Sequence, residues 1–350
     1  MLIVILVILG LSLLILGHEA GHFFAAKMFG LKVDEFGFGF PPRIAAWKKG
    51  DTEYSVNWLP FGGFVRISGE RGEFEMVNPD NAPKESTADR ARLLFAQPAW
   101  KKSLIMLAGV IMNFLLGWIL ISLTLMIGSP QALVISGVQK GSPAEQAGIA
   151  EGDIVKNFVT AQSFIDFVNA HRGERISMDL LRSNKELNVD VVPRITTGPN
   201  EGAIGVALAE AGTPREGFFA ALWDGLRNAV TLLWLTIQAF YRLISQLFIH
   251  ATLLAGVVGP VGIFGIAQET GKIGLVYLLQ FMGIISLNLT VVNLIPFPAL
   301  DGGRFLMVII EKIKGSALSA RTETWINGLG FAFLILLMVL LTVRDVGNLF

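Results

Sequence analysis

The first seventeen residues, Met1 to Gly17, carry no charged side chain, and the run leads straight into Gly17-His18-Glu19-Ala20-Gly21-His22. An apolar run of this length reads as a membrane-spanning helix. It lacks a basic leading segment and a small-residue cleavage site, so it reads as a retained span and not as a signal peptide. At about 1.5 Å rise per residue, His18 lies roughly 25 Å along the helix. That is inside a hydrocarbon core of about 30 Å but towards its far face. Ionisable groups at such a depth are costly and mark function. His18 and His22 are four residues apart, so both imidazoles share one helix face. This spacing suits two nitrogen ligands on one Zn²⁺, and the intervening Glu19 can act on a metal-bound water without being a ligand.

The whole chain agrees with a membrane setting. Of 350 residues, 53% are hydrophobic and 16% charged, against about 25% charged in soluble domains. The formal net charge of +0 gives no electrostatic case for nucleic acid as a partner. With no cysteine, a metal site has only carboxylates and the four histidines, His18, His22, His171 and His250, to draw on.

Taken in order, the chain divides as follows. Residues 1–30 form the first span. Residues 31–100 interleave Phe, Val, Ile and Trp with Gly and Pro, which predicts short β-hairpins at the membrane surface around Thr52–Asn57 and Phe64–Ser68, with an exposed polar loop over 73–92. Residues 101–129 carry a second span, in which the stretch from Ser103 to about Gly128 has no charge and Asn113 as its one strongly polar side chain. Arg90, Arg92, Lys101 and Lys102 crowd its start and place that end in the cytoplasm. Residues 130–210 read as a small α/β domain, with strands at Leu133–Val138, Ile176–Leu181 and Leu187–Val192 and a helix at Ala161–Ala170. Over 211–270, Gln238, Arg242, Gln246 and His250 recur every four residues. This polar stripe predicts an interfacial amphipathic helix, with a Gly/Pro break at Gly256–Gly265. Residues 271–303 carry a third span that ends at Pro296 and Pro298, 304–324 a cytoplasmic loop, and 325–350 a fourth span and tail. The fold class is thus a multi-pass α-helical membrane protein with four transmembrane helices, a membrane-associated β element and one inserted α/β domain.

A catalytic zinc usually takes three protein ligands plus water. The candidates for the third are His171, His250 and the carboxylates, and Asp301 stands out among them. It follows a span stopped by two prolines, and Gly302 and Gly303 let its backbone pack closely. If 211–270 does not cross the membrane, the third span runs in the same direction as the first, and Asp301 reaches the leaflet of the histidines.

These pieces together resemble the site-2 proteases, the zinc intramembrane proteases, of the bacterial regulator of sigma-E protease type. The matching residues are His18-Glu-Ala-Gly-His22, Gly37-Phe-Gly39, Leu59-Pro-Phe-Gly-Gly63, Asn113 and Asn293-Leu-Ile-Pro-Phe-Pro-Ala-Leu-Asp301-Gly-Gly303. Gly109-Val110 stands where the family often has Gly-Pro. The resemblance implies that His18, His22 and Asp301 bind Zn²⁺, that Glu19 is the catalytic base, and that the 36–68 region holds substrate as an added strand. Asn293 and Asn113 are expected to support the substrate or the transition state. The resemblance also makes residues 130–210 similar to a PDZ domain, with Gly141-Ser142-Pro143-Ala144 as its peptide loop and a peptide or C-terminus as its ligand; many relatives carry two such domains, and this chain has room for one. It implies cleavage of single-span membrane proteins, such as anti-sigma factors or remnant signal peptides, in the bacterial cell (inner) membrane. The active site then lies towards the cytoplasm, with the PDZ-like domain outside. Two alternatives remain: a membrane-tethered zinc protease of surface peptides, against which the depth of His18 argues, and a non-catalytic PDZ scaffold with structural zinc, which has no need of Glu19.

Overall fold

A computed structural model of the chain describes residues 2–70, 87–182, 185–198, 201–250, 257–316 and 318–347. By packing, the chain divides into two units, one of Met1–Thr124 with Phe218–Phe350 and one of Leu125–Gly217.

In the first unit, α1 (Leu2–Met28) is apolar around its whole circumference, and Leu2, Leu9 and Leu13 are exposed. A helix of that composition needs lipid around it. The chain then turns into β1 (Val33–Lys49) and β2 (Thr52–Ile67). These are not separate short hairpins, as the sequence suggests. The first half of β1 pairs on both sides, with Glu53–Val56 and with Gly63–Ile67, while its second half pairs with Thr52–Asn57. The result is one sheet of four segments. Leu59-Pro-Phe-Gly-Gly63 belongs to β2, where Gly62 and Gly63 lie against Ile15 and Leu16 of α1. Glycine there lets the strand bend closely around the helix, and the Ser12 hydroxyl donates to the Pro60 carbonyl. Glu35 is buried within the sheet and is satisfied by Arg43 and Ser55, each at 2.7 Å. Of the loop expected over 73–92, residues 73–86 lie outside the described residues, and Thr87–Arg90 forms a single turn, α2.

The second long apolar helix, α3 (Ala99–Ile127), packs along α1 through small residues. A Cβ on Gly21 would collide with the Ala108 carbonyl of α3. In a membrane such close backbone approach is a main source of helix association. Further along, α6 (Phe218–His250) is amphipathic, as the polar stripe predicts, yet it does more than rest on a surface. Its Ala229, Leu232 and Leu233 pack with Ile284 and Leu287 of α8 (Leu275–Leu294). Its Thr236 hydroxyl donates to Asn288 Oδ1 of α8 at 2.9 Å. The side chain of His250 and residue 256 of the expected Gly/Pro break lie outside the described residues. Next, α7 (Pro260–Ile273) packs at the starts of α1 and α8, with Ala267 against Val7 and Leu278.

The segment 304–324, expected as a loop, is largely helical: α9 spans Asp301–Lys314, and α10 (Ala320–Gly347) begins soon after. The reason lies in its periodicity. Phe305, Met307 and Val308 turn inward while Arg304, Lys312 and Lys314 stay exposed, and Gly315 ends the helix in the left-handed conformation, φ 75°. Asp345 near the end of α10 accepts from the Gly259 and Gly262 amides and so caps α7. Among the described residues, four helices are long and apolar enough to cross a membrane: α1, α3, α8 and α10.

In the second unit, a five-stranded sheet has the order β6-β5-β4-β3-β7, built from β3 (Ala132–Val138), β4 (Ile154–Val155), β5 (Ile176–Arg182), β6 (Lys185–Val191) and β7 (Val206–Ala211). Two helices, α4 (Pro143–Gln146) and α5 (Ala161–Ala170), accompany it. Leu133, Ile135, Phe164, Val168, Met178 and Leu180 form its core. The sequence hides β4, which is two residues long, and β7, whose Val-Ala-Leu-Ala-Glu-Ala composition favours helix; pairing with β3 overrides that preference. Gly141–Ala144, expected to be a peptide loop, builds a helix cap. Ser142 Oγ accepts from the Glu145 amide and the Glu145 carboxylate accepts from the Gly141 amide, so these polar groups are already engaged.

One ion pair anchors this unit. Asp153 is fully buried and takes two bonds from Arg182, at 2.6 and 2.7 Å, plus one from the Ala150 amide at 2.9 Å. The Arg182 guanidinium holds the Asp153 carboxyl below its ordinary range. Because the folded pKa is depressed, the pair stabilises the unit above about pH 4 and that stabilisation is lost as pH falls through the folded value. Asp153→Ala is expected to cost about 3 kcal/mol, the lower end for breaking a buried pair because Arg182 is partly exposed. Thermal unfolding of the full chain against pH checks both: the wild type loses stability below about pH 4, and the variant lacks that component.

Candidate active site

Near the end of α1, the Nε2 atoms of His18 and His22 lie 3.3 Å apart. Asp301 Oδ2 completes the group, 3.1 Å from His18 Nε2 and 3.3 Å from His22 Nε2. His18, His22 and Asp301 form a set able to hold a metal ion. Four-residue spacing on α1 explains the histidines. Asp301 arrives by a different device. Pro296 and Pro298 stop α8, Ala299 adopts a positive φ of 72°, and its amide donates to Asn327 Oδ1 of α10 at 3.3 Å. The chain then folds back so tightly that a Cβ on Gly302 would collide with the Leu294 and Ile295 carbonyls, and one on Gly303 with the Phe297 carbonyl. Only glycine fits there, and the reversal places the first residue of α9 beside the histidines.

The donor set fits a zinc ion. Ligand atoms about 2.0–2.1 Å from a tetrahedral zinc lie about 3.3–3.4 Å from one another, close to the observed 3.1 and 3.3 Å. Asp301 Oδ2 is also buried without a hydrogen-bond donor. Three lone pairs thus converge on one point, an arrangement that a cation satisfies.

A second helix fixes the imidazoles. His22 Nδ1 donates to the Ile105 carbonyl of α3 at 2.7 Å, which leaves Nε2 free of its proton. Four residues on, a Cβ on Gly109 would collide with both imidazole rings. Another four residues on, Asn113 is fully buried, with its amide 3.0 Å from His18 Nδ1. Ile105, Gly109 and Asn113 therefore form one stripe of α3 facing the two histidines.

Glu19 stands apart from the three converging atoms. Its Oε2 accepts from the Val65 amide of β2 at 3.1 Å. Glu19 and His22 line a cavity of about 70 Å³ with Val65, Ile67, Glu70, Ile105, Met106 and Arg304, and Glu70 and Arg304 are paired there. A group so placed can exchange protons with a water in that cavity.

Two further residues singled out in the sequence have other settings. Asn293 lies half-buried in the last turn of α8, eight residues before Asp301. His171 belongs to the other unit, where its Nδ1 bonds the Phe167 carbonyl at 2.8 Å. Sequence reasoning missed Val65, the Ile105 carbonyl and Arg304. The first two act through their backbone, which leaves no mark on residue identity. The four-residue spacing of Gly109 and Asn113, in a helix without charge beyond Lys102, is a readable signal.

Comparison with known proteins gives this geometry a context. The model of peptidase family M50 matches residues 6–337. A provisionally named zinc metalloprotease of Clostridium perfringens is 35% identical over 350 residues, covering 98% of each chain. The regulator of sigma-W protease RasP of Bacillus subtilis is 30% identical over 411 residues, covering 96% of each. The zinc metalloprotease RasP of Bacillus licheniformis is 29% identical, covering 99% of each. The two longer alignments exceed this chain's 350 residues, so those relatives carry segments that it lacks. A converging His, His and Asp set among apolar helices, matched over nearly the whole chain, makes this protein a zinc metalloprotease with Zn²⁺ as its cofactor, a member of peptidase family M50, the site-2 proteases.

Proposed function

We propose that the enzyme cuts peptide bonds within transmembrane segments of single-span membrane proteins. The observation that carries this reading is the site's place: His18 and His22 lie deep in α1, a helix apolar enough to span the bilayer. His18, His22 and Asp301 hold the zinc. When bound, the zinc lowers the pKa of a coordinated water towards about 7 and polarises the scissile carbonyl. Glu19 takes a proton from the attacking water and returns it to the leaving amine. The Val65 amide keeps the Glu19 carboxylate turned into the cavity. Asn293, at the end of α8, donates to substrate backbone or to the developing oxyanion.

A peptide bond in a helix is shielded by its own hydrogen bonds, so the substrate must unwind before it is cut. The Gly63–Ile67 segment of β2 is an outer strand of its sheet and runs beside Glu19, which suits it to receive an extended segment as an added strand. Anti-sigma factors and remnant signal peptides are the expected substrates; the B. subtilis relative is named as a regulator of sigma-W protease. Lysine and arginine flanking the spans support an active site towards the cytoplasm.

The Leu125–Gly217 unit is read as a PDZ-like module outside the cytoplasm. Its binding surface is the groove between α5 and the edge strand β7. A cavity of about 410 Å³ there is lined by Phe164, Ile165 and Val168 from α5, by Arg172 just past its end, and by residues 201–206 and Leu208. An extended peptide would pair with β7 and lodge an apolar side chain against α5. Gly141–Ala144, occupied as a helix cap, takes no part.

Three outcomes are expected. Glu19→Gln keeps its zinc but loses about 10²–10⁴-fold in kcat when reconstituted in lipid with a single-span substrate; cleavage at the wild-type rate would remove Glu19 from the mechanism. Mass spectrometry of the wild-type products should place the cut inside the apolar segment, and a cut in a flanking soluble region would sink the intramembrane reading. Ile165 is 42% exposed at the groove, so Ile165→Glu should leave the fold intact. It is expected to weaken binding of a fluorescent hydrophobic C-terminal peptide about tenfold or more, roughly the loss of one buried apolar contact. Unchanged binding would exclude the groove.

A further inference from the structure

The side chain of Asn113 presents a conflict that chemistry can resolve. Its Nδ2 is placed 3.0 Å from His18 Nδ1, while its Oδ1 is buried without a hydrogen-bond partner. The residue is 0% exposed, so water does not supply that partner from outside. Leaving a buried amide oxygen unsatisfied costs about 1–3 kcal/mol.

His18 decides which way the amide must face. Its Nε2 points at His22 Nε2 and at Asp301 Oδ2. A nitrogen that ligates a metal carries no proton, so a neutral His18 with Nε2 in that role keeps its proton on Nδ1. A donor at Nδ1 needs an acceptor opposite, and an amide NH₂ is not one. The oxygen and nitrogen of an asparagine side chain are told apart by their partners. Turning the Asn113 amide by half a revolution puts Oδ1 in front of the Nδ1 proton. It removes the donor–donor clash and satisfies the orphaned oxygen in one movement. The opposite choice leaves Oδ1 unsatisfied and aims a proton at the place where three lone pairs converge.

We infer that Asn113 is the positioning residue for His18: its Oδ1 accepts from His18 Nδ1 and thereby selects the tautomer whose Nε2 faces the metal. This inference rests on the zinc assignment made above. It replaces the expected role of Asn113 in supporting substrate, because the amide faces the rear nitrogen of a ligand and not the cavity beside Glu19. The arrangement also has a twin. His22 Nδ1 donates to the Ile105 carbonyl of the same helix. One stripe of α3 thus fixes both histidines, once with a backbone carbonyl and once with a side chain. The Ser286 hydroxyl of α8 donates to the Asn113 backbone carbonyl at 2.7 Å and steadies the residue from behind.

The test uses the full chain in detergent, stripped of metal and titrated with Zn²⁺ against a chromophoric chelator. Asn113→Asp keeps an acceptor oxygen in front of Nδ1, whereas Asn113→Leu and Asn113→Ala delete it, one filling the space and one emptying it. The Asp variant is expected to bind zinc within about threefold of wild type, and the Leu and Ala variants about 10–100-fold more weakly. Metal-free melting temperatures identify a variant that does not fold; should Leu fail, Ala decides. Equal zinc affinity in wild type and an acceptor-free variant overturns the inference, and so does an Asp variant as weak as Leu. The zinc assignment itself fails in a different way: wild type would bind no zinc, or His22→Ala would bind it as tightly as wild type.

Discussion

The close approach of α1 and α3 is the contact on which the rest of the structure depends. Gly21 on α1 meets the Ala108 carbonyl, and Gly109 on α3 meets the imidazoles of His18 and His22. A methyl group at either position would push the helices apart. With them together, the face of α3 that carries Ile105, Gly109 and Asn113 lies along the histidine face of α1 at the same four-residue spacing. The Ile105 carbonyl can then receive a proton from His22, and Asn113 can reach His18. Packing and chemistry are one requirement here: the glycine that permits the helix contact is also the floor beneath the metal ligands.

Asp301 reaches this place by a reversal of the chain and not by helix spacing. A carboxylate continuing straight out of α8 would move away from α1. Two prolines, a residue at positive φ and two glycines with no room for a Cβ turn it back within the nine residues that follow Leu294. The Asn327 side chain of α10 holds this turn at Ala299, and Lys102 of α3 pairs with Glu311 of α9 at 3.5 Å. The third corner of the site is thus fixed by backbone geometry, the first two by helix periodicity.

This difference explains what the sequence reveals. The spans are legible because a long charge-free run is stable as a helix in lipid and would be insoluble in water. The convergence of His18, His22 and Asp301 is legible because a four-residue spacing and a Pro/Gly reversal both leave residue types behind. The sheet of β1 and β2 is only partly legible. Its glycines and prolines look like breaks between hairpins, whereas they are bends in one strand against α1. Helix α9 looks like a loop because its clustered charges are a stronger signal than its 3.6-residue period over so few turns. Strand β7 is hidden by alanine and leucine, and only pairing with β3 makes it a strand. Contacts such as Val65 to Glu19 use the main chain, and no residue type announces them.

The polar groups of α1 also account for how a helix so uniformly apolar acquires a defined rotation. Lipid is as apolar as leucine, so burying leucine against another helix does little to choose one face over another. Four side chains on α1 do choose. Ser12 donates to the Pro60 carbonyl, Glu19 accepts from the Val65 amide, His22 donates to the Ile105 carbonyl, and His18 meets Asn113. Two of these bonds fix β2 and two fix α3, so the helix is held from both sides. Any rotation or axial slip of α1 would leave several buried polar groups without partners, each at a cost of about 1–3 kcal/mol. The residues proposed for catalysis therefore also set the register of the helix that carries them. A substitution among them is expected to reach the packing of β2 and α3 as well as the chemistry, unless, as in Glu19→Gln, it preserves the shape of the group and its ability to accept a hydrogen bond.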